Sequence, residues 1–234
     1  MTLALSAEEP FARGGNRLCF VHPDHRDRCV KVRRPDFSLE DLRRKKGFPK
    51  NLKPLSSFDD NLEEFQVMQQ LENQFGKALF ELVSRCYGFE TTDMGKGLSS
   101  ELIRDDSGRI SHTLKQYLWD HGFSDDCKRA ITEFSNRWVE LAIPSRDLIL
   151  HNIVVQLDNT DSIKRLVIID GLGNPNIFPT WMLPTHFRRI KAQRKIHNLK
   201  ERIHALLTQR GEAKFPGYHG QLLHEGIDET PNDK

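Results

Sequence analysis

The stretch "PSRDLILHNIVVQ", residues 144–156, sets an acid, Asp147, five residues ahead of an amide, Asn152, where an apolar run begins. A plain surface loop requires neither at that spacing. Asp147 could accept the proton of an attacking hydroxyl, or orient it. Asn152 offers an amide oxygen, a ligand type that suits Mg²⁺. A second oxygen ligand is expected from Asp170 in "VIIDG", where an apolar strand ends and the carboxylate can emerge at its tip. An Asp before Gly is also a common turn, so this pair gains meaning only beside the rest. Together, Asp147, Asn152 and Asp170 suit a site for a metal-bound triphosphate.

Three earlier features point the same way. Lys31 in "CVKV" stands among β-branched residues. Placed inward, its ammonium requires an anionic partner; placed on an edge, it is merely solvated. The partner is expected on the following helix. Glu63 and Glu64 are both candidates, and Glu64 is preferred because it stands seven residues before Leu71 on the packed face. Gly14 and Gly15 in "ARGGN" form a turn whose N–H groups could approach phosphate oxygens, although turns use glycine for ordinary reasons as well. In this order the residues predict ATP and Mg²⁺ as cofactors.

These positions need a scaffold. "RLCFV" and "RCVKV" read as a hairpin across "HPDHRD". "SLEDLRRKKG" predicts a short basic helix capped by Ser38 and stopped at Gly47. Leu62, Phe65, Met68 and Leu71 repeat every three residues, the pattern of an amphipathic helix. "SRCYGFETT" and "LSSELIRD" read as strands, and "SHTLKQYLWDHG" as a helix ending at Gly122. Ser124 caps a helix that presents Ile131, Phe134, Trp138 and Leu141 on one face. "NIVVQL" and "RLVIID" are two further strands, and Ile196, Leu199, Ile203 and Leu206 keep step along a final long helix. A strand-rich front and a helix-rich back predict an α+β chain of two lobes, residues 10–104 and 105–209, followed by a Gly-, Pro- and acid-rich disordered tail, 210–234.

The motifs resemble a protein kinase. "RDLILHN" is similar to the catalytic loop, "IIDG" to the metal-binding segment and "CVKV" to the strand that carries the nucleotide lysine, with Glu64 as its helical partner. The resemblance places the adenine-contacting hinge at Glu101 to Ile103. "GGNRLCFVHPDHRDRCVKV", "YGFETTDMGKG" and "SHTLKQYL" resemble, more closely, the YrbL family of bacterial PhoP regulatory network proteins, over about residues 10 to 207. The resemblance implies a small, divergent protein-kinase-like two-lobed fold, with a strand-rich N-lobe and a reduced helical C-lobe. The departures shape the expectation. Ser145 and Ile149 replace the loop's usual histidine and lysine, the glycine loop is incomplete, and no A-P-E segment follows Asp170. The lobe is too small to dock peptides, so an unidentified small-molecule, sugar or lipid acceptor is expected. Retention of Asp147 and Asp170 favours phosphotransfer over a nucleotide-sensing pseudokinase.

The chain's 234 residues carry a net charge of only +2, so global charge names no partner. Charge is uneven, however. From Arg188 to Arg202 there are seven Lys or Arg and one Glu, a surface that could meet anionic lipid, phosphosugar or nucleic acid, or simply stay solvated. A basic binding protein unconnected with ATP is therefore the remaining alternative. The four cysteines show no metal-ligand spacing. "MTLALSAEEP" lacks the features of a signal peptide, and no run approaches a transmembrane span. A cytoplasmic location is expected.

Overall fold

A computed structural model of the chain describes residues 2–173, 184–212 and 214–224. The front is a five-stranded antiparallel sheet: β1 (Ala12–Arg13), β2 (Arg17–His22), β3 (His25–Arg33), β4 (Cys86–Thr92) and β5 (Gly95–Glu101), ordered β1-β2-β3-β5-β4. β2 and β3 form the expected hairpin, with Cys19 opposite Lys31 and Val21 opposite Cys29. Its turn is shorter than the sequence suggests, because His22 and His25 already pair. β5 stops at Glu101, short of the strand read through Asp105.

Strand alternation sorts this sheet into two faces. Leu18, Phe20, Val30 and Val32 pack with Leu3 and Leu5 of the N-terminal segment. That segment lies ahead of the boundary expected at residue 10, yet Leu3 donates to the Thr91 carbonyl at 2.9 Å. On the opposite face Cys19, Val21 and Cys29 join Phe11, Leu102 and Ile110. Arg17 and Lys31 share that second face, which therefore carries charge into the protein.

Two helices interrupt the sheet. α1 (Leu39–Lys46) has a reciprocal capping box between Ser38 and Asp41. α2 (Asp60–Phe75) is capped by Asp59. Its buried positions are Asn61, Met68 and Leu71, so Glu64 lies on the packed side, whereas Leu62 and Phe65 are only half-buried.

The back of the molecule holds α3 (Leu114–His121), α4 (Asp125–Leu141), the antiparallel pair β6 (Ile153–Leu157) and β7 (Ile163–Ile168), and α5 (Thr185–Gln209). Thr113 and Ser124 cap α3 and α4. Ile131, Phe134 and Trp138 of α4 and Ile196, Leu199, Ile203 and Leu206 of α5 enter one large core with Leu114, Leu118 and Ile153. The observed class is α+β, with an antiparallel sheet and five α-helices among the described residues.

The tail departs from expectation. Residues 214–224 run against the body instead of hanging free. Lys115 donates to the carbonyls of Pro216 and His219, Thr113 Oγ1 to that of Gly220, and Leu223 N to the Phe11 carbonyl at 2.8 Å. This segment thus ties α3 to the front sheet. Residues 225–234, the rest of the expected tail, lie outside the described residues.

Candidate functional site

The site begins with Lys31, 6% exposed toward the end of β3. Its ammonium donates to Glu64 Oε1 at 2.6 Å and to the Ile169 carbonyl at 2.9 Å. One lysine therefore joins the front sheet, α2 and the end of β7. Burial opposes its charge, but Glu64 and Asp170 together hold the pKa above the ordinary lysine range. The other acid, Glu63, pairs instead with Arg146.

Arg17, at the start of β2, completes the cluster. Its guanidinium donates to both Glu64 and Asp170. Burial disfavours this charge as well, and the two carboxylates again reverse the effect. Asp170 Oδ1 accepts from Gly171 N at 2.6 Å. Burial would raise the Asp170 carboxyl, while Arg17 and Lys31 pull it below the usual carboxylate range. Two cations and two carboxylates thus neutralise one another across four separate segments. Arg17, Lys31 and Glu64 are largely buried, and buried charges persist only when paired in this way; Asp170 reaches the cleft, 41% exposed.

Gly171 brings the rear residues into contact. Its φ is +80°, and a Cβ there would stand 2.7 Å from Asn152 Nδ2 and 3.3 Å from the Asp147 carbonyl oxygen. Any side chain would push the two loops apart. Ile169 N donates to the Asn152 carbonyl at 2.9 Å and Arg146 N to the Gly171 carbonyl at 3.1 Å, which fixes the same approach.

Two adjoining cavities meet at this cluster, sharing Gly14, Arg17, Ser84, Ile169 and Asp170 as walls. The larger, about 280 Å³, is polar and reaches Gly15, Glu63, Glu64 and Arg146. The smaller, about 160 Å³, is mainly apolar and reaches Lys31, Glu101, Ile103, Asn152 and Val154. His219 to Leu222 of the C-terminal segment form part of its wall. His219 stacks on His151, ring centroids 5.3 Å apart. Burial, with His219 and Lys115 nearby, lowers the His151 pKa.

The sequence-derived residues therefore divide. Gly14, Gly15, Lys31, Glu64, Glu101, Ile103, Asn152 and Asp170 all line one cavity or the other. Gly14 and Gly15 have ordinary backbone angles, and nothing crowds the place a Gly15 side chain would take. Glu101 turns its carboxylate to Arg85 N and Arg165, and the Ile103 carbonyl accepts from Ser111 N. Asp147 lines neither cavity. Its carboxylate accepts two bonds from Arg202 of α5, and Lys195 Nζ stands 3.8 Å away.

Sequence reasoning missed Arg17 and Arg202. Arg17 had a faint signal, since strand alternation puts it on the same face as Cys19, opposite which Lys31 pairs. Arg202 had none beyond its place in a basic helix. Among the described residues no group of three or more His, Cys, Asp and Glu is placed to hold a metal. Asp170 and Asn152 give two oxygens, a set that fits Mg²⁺ only when phosphates and water supply the rest. In this structure Arg17 occupies the Asp170 carboxylate.

The fold and cluster define an α+β chain with an ion-paired cleft between its sheet and its helical part. The chain belongs to the family described as PhoP regulatory network protein YrbL, whose model matches residues 3–204. It is 23% identical over 193 residues to the uncharacterized protein YrbL of Escherichia coli strain K12, covering 76% of this chain and 78% of that protein. The uncharacterized protein YrbL of Shigella flexneri matches with the same identity and coverage. The family is linked by its description to the PhoP regulatory network. No described helix is long and apolar enough to cross a membrane.

Proposed function

We propose that this chain is a kinase-like protein that binds Mg²⁺-ATP in the cleft and transfers a phosphoryl group to a non-peptide acceptor. The observation that carries this reading is the Lys31–Glu64 pair, set at 2.6 Å beside the Asp170 strand end. A lysine held this way is preorganised for phosphate oxygens, and the shared walls let one ligand span an apolar and a polar cavity. Asp170 and Asn152 would hold the metal. ATP supplies the phosphoryl group when bound. Asp147 takes the acceptor's hydroxyl proton as that oxygen bonds to phosphorus, and ADP leaves with the bridging oxygen. Arg17 must release Asp170 for the metal to enter, and Arg202 must release Asp147.

Those same two contacts favour a second reading, a regulatory pseudokinase that binds nucleotide without transfer. Thermal unfolding with and without Mg²⁺-ATP, on wild type and Asp170→Ala, is the test. Ligand at a hundred times its Kd should add about 2.7 kcal/mol, roughly 5–11 °C for a chain of this size. A shift abolished by Asp170→Ala supports the site. No shift at millimolar ATP rejects both readings. A shift without ADP release in the presence of any acceptor leaves the second.

A further inference from the structure

One face of α5 carries a row of cations beside its buried stripe. Arg188, Lys191, Lys195 and Arg202 recur at three-, four- and seven-residue steps, and all are half-buried, next to buried Ala192, Ile196, Leu199 and Ile203. The row spans fourteen residue steps, about 21 Å of helix. Its inner end meets the catalytic-type loop. Arg202 grips the Asp147 carboxylate and reaches the Leu148 carbonyl at 3.3 Å, and Lys195 bonds the Arg146 carbonyl. Among the described residues its outer end meets no counter-charge. Among the described residues Asp147 is the one carboxylate that meets the row, and Arg188 Nε is buried without a hydrogen-bond partner.

Such a row costs stability through mutual repulsion unless an anion joins it. Asp147 offers one charge to two cations, and its bonds are half-exposed, in a setting where ion pairs are weak. A phosphate monoester carries nearly twice that charge and three acceptor oxygens. It forms the bidentate bonds that guanidinium groups favour. It can therefore displace Asp147 from Arg202.

We propose that Lys195 and Arg202, with Lys191 one turn away, form a subsite for a phosphomonoester group on the acceptor. This rests on the phosphotransfer reading above. Occupation of the subsite draws Arg202 and Lys195 off Asp147. The carboxylate is then free beside the acceptor that has just bound. The base is masked until the acceptor arrives, which spares ATP from attack by water. Arg202 acts here as a positioning residue.

Calorimetric titration of the full chain with glycerol 3-phosphate, without nucleotide, tests the subsite. A parallel arm sediments the chain with phosphatidylcholine vesicles, with and without phosphatidic acid, which bears the same ester in a membrane. Wild type should bind the soluble ester. Arg202→Gln and Lys195→Gln should each bind roughly tenfold or more weakly, the loss of one charge-assisted bond, and Arg202→Lys should recover part of it. Lys164→Gln, whose partner is the distant Asp106, should change nothing. Lys191→Gln repeats the test without touching the Asp147 pair, should Arg202→Gln not fold. Capture on phosphatidic acid alone, with the same dependence on these residues, supports the subsite and assigns the ester to a lipid. Binding of neither probe, or equal binding by every variant, overturns it. Ester binding that survives alongside a failed Mg²⁺-ATP shift rejects the nucleotide reading and not the anion site.

Discussion

Two acids of this molecule live in opposite settings. Glu64 is 14% exposed and enclosed by Lys31 and Arg17. Asp147 is 29% exposed and held by Arg202 on an outer helix. Both are paired, yet the first pair is a structural commitment and the second is exchangeable. Low dielectric makes the difference: removing one member of a buried pair strands the other, whereas water replaces a partner at the surface. The cleft wall at Lys31 is therefore rigid, whereas Asp147, outside both cavities, sits in an adjustable setting.

Changing the rigid wall should have the largest effect. Among the described residues, Glu64→Ala leaves buried Lys31 bonded to the Ile169 carbonyl alone, and should cost roughly 3–5 kcal/mol, measured by urea unfolding. A cost below 1 kcal/mol would show that the cluster is not buried in solution. The C-terminal segment comes next. Gly220 has φ +87°, and a Cβ there would stand 2.5 Å from His151 Cβ. Gly220→Val should cost roughly 1–3 kcal/mol by overpacking and strain, and hydrogen exchange should speed up across 214–224. Unchanged exchange would mean that the segment is not seated on the body.

Asp147→Asn sharpens the contrast from the other side. As a half-exposed pair it should cost only about 0.2–1 kcal/mol in the same urea assay, several-fold less than Glu64→Ala. Equal losses would erase the distinction between the two settings. The smallest effect is a pH dependence. His151 titrates below its ordinary value in the folded chain, so the unfolded chain binds the proton first. Stability from this group is present above the unfolded value of about 6.5 and declines as pH falls through that value toward the folded one. His151→Gln should flatten the fall in melting temperature between about pH 7 and 5. An unchanged slope would assign the fall to other groups.

Local features were legible in the sequence because each is set by neighbours along the chain. Ser38, Thr113 and Ser124 cap where short polar residues precede a periodic run. The buried stripes of α4 and α5 follow from a repeat of 3.6. The preference for Glu64 over Glu63 was readable for the same reason, since one helical position decides which acid faces inward. The seating of 214–224 was not. Its Gly and Pro content resembles that of free chain, and its anchors are supplied by Lys115, Thr113 and Phe11, about a hundred residues or more away.

The sequence by itself determined the α+β class, the helix boundaries and the set of acids, amides and cations available for chemistry. Tertiary structure alone decided their partners. Arg17 bridges Glu64 and Asp170 across 47 and 153 residues, and Arg202 reaches back 55 to Asp147. Periodicity carries no record of such pairings. They arise because charges drawn into a closing core must be matched by whichever opposite charges the fold brings within reach.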